Sequence, residues 1–175
     1  MKLNNRGMTL VEMIVAFAIL GLVSASIFSM MLTGTKTYTK LTNTVKLQYD
    51  AQLATANIEK RILNCDEGFE WDGSSLILVE DGTAHVLNWN ASTGEFKYGT
   101  GPMSSDEASL NMYLLAEHVT AFRVDVQTTT EESVTVVQRV EYEVKLERNG
   151  QSYTRGKAVA LRNLPPLKDY TVTMN

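Results

Sequence analysis

The chain has 175 residues, 44% hydrophobic and 21% charged, with a formal charge of -4. That length suits one globular domain of about 100 to 140 residues plus an additional segment. The composition excludes wholesale disorder and a polytopic membrane protein, and the acidic balance argues against nucleic acid as a partner, because phosphate binding needs a basic surface.

The most informative stretch comes first. Lys2 to Arg6 is short, polar and basic, Gly7 ends it, and Met8-Thr9-Leu10-Val11-Glu12 opens a run to Leu32 in which Glu12 is the only ionisable side chain. As a helix, residues 8–32 would extend roughly 37 Å, enough to cross a hydrocarbon core of about 30 Å. Lys2, Arg6 and the amino terminus precede the run. The positive-inside rule therefore keeps the N-terminus in the cytoplasm and sends the chain after about residue 33 outward. A carboxylate within such a run costs about 2.5 to 3.5 kcal/mol near the bilayer centre and less towards an interface, so Glu12 calls for a partner.

The order of a basic start, Gly7, a short polar opening and then Glu12 resembles the leader of type IV prepilins and type II secretion pseudopilins. The resemblance implies cleavage between Gly7 and Met8 by a membrane prepilin peptidase and N-methylation of Met8. Glu12 then becomes the fifth residue of the mature chain, the family's characteristic glutamate. The family usually begins its mature chain with phenylalanine, and here methionine takes that place. The new α-amine is largely protonated at neutral pH. In the family, the glutamate of one subunit meets the amino terminus of its neighbour as the filament assembles, and a misplaced subunit would leave both charges unpaired. Gly21 matches a glycine at which the family's helix often loosens. Ser29 stands where many major pilins have proline, which favours a minor pilin or pseudopilin over a major subunit.

Residues 33–64 continue the helix, with neither Pro nor Gly from Lys36 to Leu63. Two apolar stripes step by three or four: Tyr38, Leu41, Val45, Tyr49, Leu53 and Ala56, and Leu47, Ala51, Ala54, Ile58 and Ile62. One stripe is expected on the protein's own sheet. The other either meets neighbouring subunits or is covered by the same domain.

Residues 65–175 read as an extracytoplasmic β-rich domain. Leu76 to Glu80 and Ala84 to Trp89 flank Asp81-Gly82, a type I′ hairpin signal. A strand Glu95 to Tyr98 follows the loop Asn90 to Gly94, and Gly99 to Ser109 reads as a loop or crossover. His118 to Gln127 alternates irregularly. Val140 to Leu146 alternates cleanly, and Asn149-Gly150 turns it into Ser152 to Leu161. The expected fold is α+β: a long N-terminal helix packed on an antiparallel sheet of six or seven strands, pilin-like. The segments Leu114 to Val124 and Val159 to Asn163 also resemble those of J-type pseudopilins and W-type minor pilins.

Catalytic and metal signals are weak. His85, His118 and Cys65 match no zinc spacing and no nucleophile with its base, so no enzymatic activity and no cofactor is expected. The lone Cys65 permits no intramolecular disulfide and reads as a small core residue. Asp66, Glu67, Glu70 and Asp72 lack a calcium-loop pattern and read as a solvated acidic turn. Residues 64–138 carry 13 acidic and 2 basic side chains against 3 and 7 in residues 139–168. That split leaves open either opposite patches that steer head-to-tail contact or compensation within one sheet.

The resemblance implies a membrane-held subunit of a pilus, secretion or competence filament. Its partners would be other pilin or pseudopilin subunits, prepilin peptidase, and the cytoplasmic ATPase and polytopic platform protein of such systems. The alternative is a pilus-borne adhesin or ligand-binding module that binds through Gly99 to Ser109 or Thr128 to Ser133.

Overall fold

One helix, α1 (Leu10–Asn64), precedes a succession of strands. The computed structural model describes residues 9–104, 107–131 and 133–174, and the chain forms two compact units, residues 1–42 and 43–175. The helix is uninterrupted through Gly21, Ser29 and Gly34, as befits a stretch without proline. In the first unit every residue from Thr9 to Thr42 is exposed. Hydroxyls of Ser26, Thr33, Thr35, Thr39 and Thr42 donate to the carbonyls four residues earlier at 2.9–3.0 Å. Such back-bonding satisfies a hydroxyl that has no other partner on an apolar helix.

In the second unit α1 buries one stripe. Leu47, Ala51, Ala54, Ile58 and Ile62 are at most 1% exposed. Val45 and Tyr49, on the other stripe, are 63% and 65% exposed. The choice left open by the two periodicities is therefore settled: the second stripe faces the sheets and the first is uncovered.

The strands are β1 (Gly68–Trp71), β2 (Ser75–Glu80), β3 (Thr83–Asn90), β4 (Glu95–Ser104), β5 (Glu107–Ala116), β6 (Val119–Glu131), β7 (Val134–Arg148), β8 (Gln151–Ala160) and β9 (Thr171–Met174). They form two sheets where one was expected, ordered β1-β2-β3-β4-β5-β9 and β6-β7-β8. All pairings are antiparallel except β5 with β9. Both anticipated type I′ turns are present, with φ of 48° and 67° at Asp81-Gly82 and 51° and 72° at Asn149-Gly150.

Gly99 to Ser109 corrects the sequence reading. Instead of a loop, β4 runs through Gly99 and Pro102 to Ser104, and β5 returns from Glu107. The glycine signal here reflects close approach rather than a turn: a Cβ on Gly99 would lie 2.4 Å from Met112 Sδ and 3.1 Å from the Asn111 carbonyl. The returning strand brings Leu110 against Ile77, Ala84 and Val86, so β2 and β3 are buried on both faces. That explains the continuous apolar run Leu76 to Val79, which shows no alternation.

Residues 161–168 stitch the two sheets together. The Val137 amide donates to Pro165 O and the Leu167 amide to Thr135 O, both at 2.9 Å. On the other side the Phe69 amide donates to Pro166 O and the Lys168 amide to Phe69 O, both at 3.0 Å. Prolines suit this position because only their carbonyls are used. Phe122 knits the core from β6, edge-on to Trp71 at 5.0 Å and to Phe96 at 4.9 Å. Tyr142, 2% exposed, donates its hydroxyl to the Thr55 carbonyl of α1 at 3.2 Å. Burial pushes the Tyr142 phenol up to about 12.

The charge split resolves into compensation in the second sheet. Residues 119–160 carry six acidic and six basic side chains, whereas residues 68–116 carry seven and one. In the second sheet Arg123 faces Glu143 across the β6–β7 ladder, although Asp125 faces Glu141.

The uneven burial of α1 has a measurable consequence. Ile58→Ala should lower stability by about 2 to 5 kcal/mol through cavity formation, and Tyr49→Ala should change it by no more than about 0.5 kcal/mol. Urea titration of the detergent-solubilised chain, followed by fluorescence of Trp71 and Trp89, checks the contrast.

Candidate functional site

The amino-terminal end of α1 is built by its first four described residues. Thr9 is the N-cap: its carbonyl accepts the Met13 amide at 3.3 Å, the first helical bond. Its side-chain oxygen accepts the Glu12 amide at 3.3 Å. In return Glu12 Oε2 accepts the Thr9 backbone amide at 2.8 Å and the Thr9 hydroxyl at 3.0 Å. This is a reciprocal capping box, in which two helix-end amides and a carboxylate satisfy one another. The negative charge also sits at the positive end of the helix dipole.

The two oxygens of Glu12 are thus unequal. Oε2 accepts two hydrogen bonds, while Oε1 accepts none among the described residues. A carboxylate can take up to about four donors, so the cap fixes the side chain without exhausting it. Sequence reasoning found Glu12 but missed Thr9; the signal was the spacing Thr-x-x-Glu just before an apolar run. Gly7 and Met8, the expected cleavage and methylation positions, lie outside the described residues.

Beyond the cap, residues 13–32 of α1 offer no charged side chain and mostly hydrocarbon to their surroundings. Leu10, Ile14, Phe17 and Phe28 are 60–77% exposed, and the most apolar window of the helix contains no buried residue. Surface of this kind is unsuited to water and suited to lipid or to other apolar helices.

Residues 2–34 match the family model of the prokaryotic N-terminal methylation motif. The match covers the leader and the apolar run and stops before the β-rich unit. It supports a type IV pilin-like or pseudopilin chain anchored by a single apolar helix and processed by prepilin peptidase. No curated protein and no solved structure matches the chain.

The other residues singled out from sequence do not converge. Cys65 is buried, its Sγ 3.1 Å from the Gly68 carbonyl, and burial pushes its thiol up to about 12, far from a nucleophilic thiolate. His118 is exposed between β5 and β6 with φ of 64°, and His85 is buried in β3. The four acids of the turn serve separate backbone amides. Asp66 accepts from Asp81 at 3.3 Å, Glu67 from Gly82 at 2.8 Å, Glu70 from Tyr170 at 2.6 Å, and Asp72 from Ser74 and Ser75 at 2.7 and 2.6 Å. Burial alone would raise Asp72, but these donors outweigh it and hold the carboxyl below its ordinary value. Burial raises Glu70, with Asp169 and Asp72 adding to the shift and the Tyr170 amide opposing it. Among the described residues no three metal-ligating side chains gather.

If Thr9 is the cap, Thr9→Val should cost about 0.5 to 2 kcal/mol of local helix stability. Amide exchange at Glu12 and Met13 should rise roughly 2- to 30-fold in micelles, while exchange at Ile58 stays unchanged.

Proposed function

We propose that this chain is a minor pilin or pseudopilin: a structural subunit that primes or joins a type IV pilus or a type II secretion or competence pseudopilus. In this reading prepilin peptidase cuts between Gly7 and Met8 and Met8 is N-methylated. The domain of residues 65–175 lies outside the cytoplasmic membrane, with the N-terminus inside. Assembly draws on other pilin or pseudopilin subunits and on the platform protein and ATPase of the host system.

The observation that carries the reading is the half-used carboxylate of Glu12, within the residues that match the methylation motif. Oε2 is held by the chain's own Thr9, which orients the group. Oε1, which accepts no hydrogen bond among the described residues, is open to a cation from outside the helix, and the protonated amine of a neighbour's processed chain is the cation the family supplies. In surroundings of low dielectric such a pair discriminates against wrong registers, because breaking it strands two charges.

The exposed apolar surface of α1 supports the same reading, since exposed hydrocarbon of this extent needs lipid or neighbouring subunits. The adhesin alternative loses most of the loops it rested on: residues 99–104 lie in β4, residues 107–109 in β5, and β6 extends to Glu131.

Intact mass of the protein extracted from native membranes should lack residues 1–7 and carry one added methyl group; a chain that retains the leader would refute the assignment. Replacing Gly7 with a bulky residue should block cutting. Glu12→Leu should be cut normally yet yield few or no filaments by electron microscopy, and normal filaments from that variant would rule out the register role.

A further inference from the structure

The last turns of α1 meet the six-stranded sheet through a polar cluster within an otherwise apolar contact. His85, 6% exposed on β3, is its centre. Its Nε2 lies 3.4 Å from Arg61 Nη1 and 3.4 Å from Glu80 Oε2, and its Nδ1 lies 2.9 Å from Tyr98 Oη. Arg61 Nη1 also contacts Glu80 Oε2 at 3.3 Å, and its guanidinium carbon stands 5.7 Å from the centre of the Tyr98 ring. Asn64 donates to Glu80 Oε1 at 2.9 Å. The cluster thus ties α1 to β2, β3 and β4 together.

The neutral imidazole fits these donors: a guanidinium only donates, so an unprotonated Nε2 accepts from Arg61 and Nδ1–H donates to Tyr98, whereas a protonated Nε2 would donate to Glu80 Oε2 at the same 3.4 Å. Arg61 is incompletely satisfied: its Nε is buried and has no hydrogen-bond partner among the described residues. Proton uptake at Nε2 would remove the acceptor that Arg61 uses and set two cations side by side, while creating a donor aimed at Glu80.

We propose that His85 is a proton-operated latch on the end of α1. Neutral, it holds Arg61; protonated, it takes Glu80 in place of Arg61, and the last turns of the helix loosen from the sheet. The charged and titratable groups facing it are Arg61 and Lys60 from α1, Glu80 from β2 and Tyr98 from β4. Burial, then Arg61, lower the affinity of His85 for the proton; Glu80 opposes them, and Lys60 adds a smaller push in the same direction as Arg61. The folded value is therefore depressed below the unfolded one. Stability is complete above the ordinary histidine value of about 6.5 and is lost as pH falls from there towards the depressed folded value.

His85 and His118 are the chain's two histidines, so imidazole NMR signals of the full chain in micelles can be assigned with His85→Gln. Glu80→Gln should weaken proton binding at His85 at least twofold, and Arg61→Gln should strengthen it at least twofold. Amide exchange, corrected for its intrinsic pH dependence, should rise at least threefold over residues 58–64 between pH 7.5 and 5.0, and His85→Gln should abolish that rise. Shifts in the same direction from both charge variants, no shift at all, or an unchanged rise in His85→Gln would overturn the latch. Should His85→Gln fail to fold by circular dichroism, the other two variants keep the imidazole and decide the question by the sign of their shifts.

Discussion

The β-rich unit is organised around one face of α1. Leu47, Ala51, Ala54, Ile58 and Ile62 lie against strands from both sheets, and the two alanines keep the face narrow where the backbone must come close. Each large side chain on this stripe gains about 1.5 to 3 kcal/mol from burial. Tyr142 adds a directional element by reaching the Thr55 carbonyl from the second sheet. Thr55 offers that carbonyl while its hydroxyl is turned back to Ala51 O at 2.8 Å, so a buried polar residue mid-helix leaves its side chain satisfied. With the helix face filled, the seam of residues 161–168 closes the remaining gap between sheets with backbone hydrogen bonds and with Leu161, which joins the core.

What was legible in sequence followed from local chemistry. Asp81-Gly82 and Asn149-Gly150 named their own turns because positive φ at two successive positions suits few residue pairs. The alternation of Val140 to Leu146 named a strand buried on one face. Where several elements compete for a residue, local signals failed. Gly99 looked like a turn because glycine reports both sharp turns and close approach, and only the position of Met112 tells which applies here. The seam was invisible for a related reason: Pro165 and Pro166 carry no strand periodicity, yet their carbonyls are the acceptors that join the sheets. The parallel pairing of β9 with β5 is non-local and leaves no periodic trace.

The N-terminal site was half legible. Glu12 stood out because it is the sole charge in an apolar run, and the matched methylation motif spans the same residues. Thr9 did not stand out, since a threonine at the start of a helix is common. The spacing Thr-x-x-Glu held the signal, and the paired distances to Glu12 give it meaning.

Thr9 also changes the electrostatic argument about Glu12. An acid with no partner in an apolar helix would gain simply by protonation, and its charge would then say nothing about assembly. Two donors from Thr9 hold the carboxyl group at a fixed orientation. The Thr9 amide belongs to the Met8–Thr9 bond, which the proposed scission at Gly7–Met8 would leave intact. The cap is therefore available before and after processing, whereas a free amine at Met8 exists only afterwards. A single carboxylate can in this way stabilise the helix end in the precursor and still present Oε1 to a cation that processing alone creates. In the proposed reading the charge is prepared first, and its counter-charge is released by the cut.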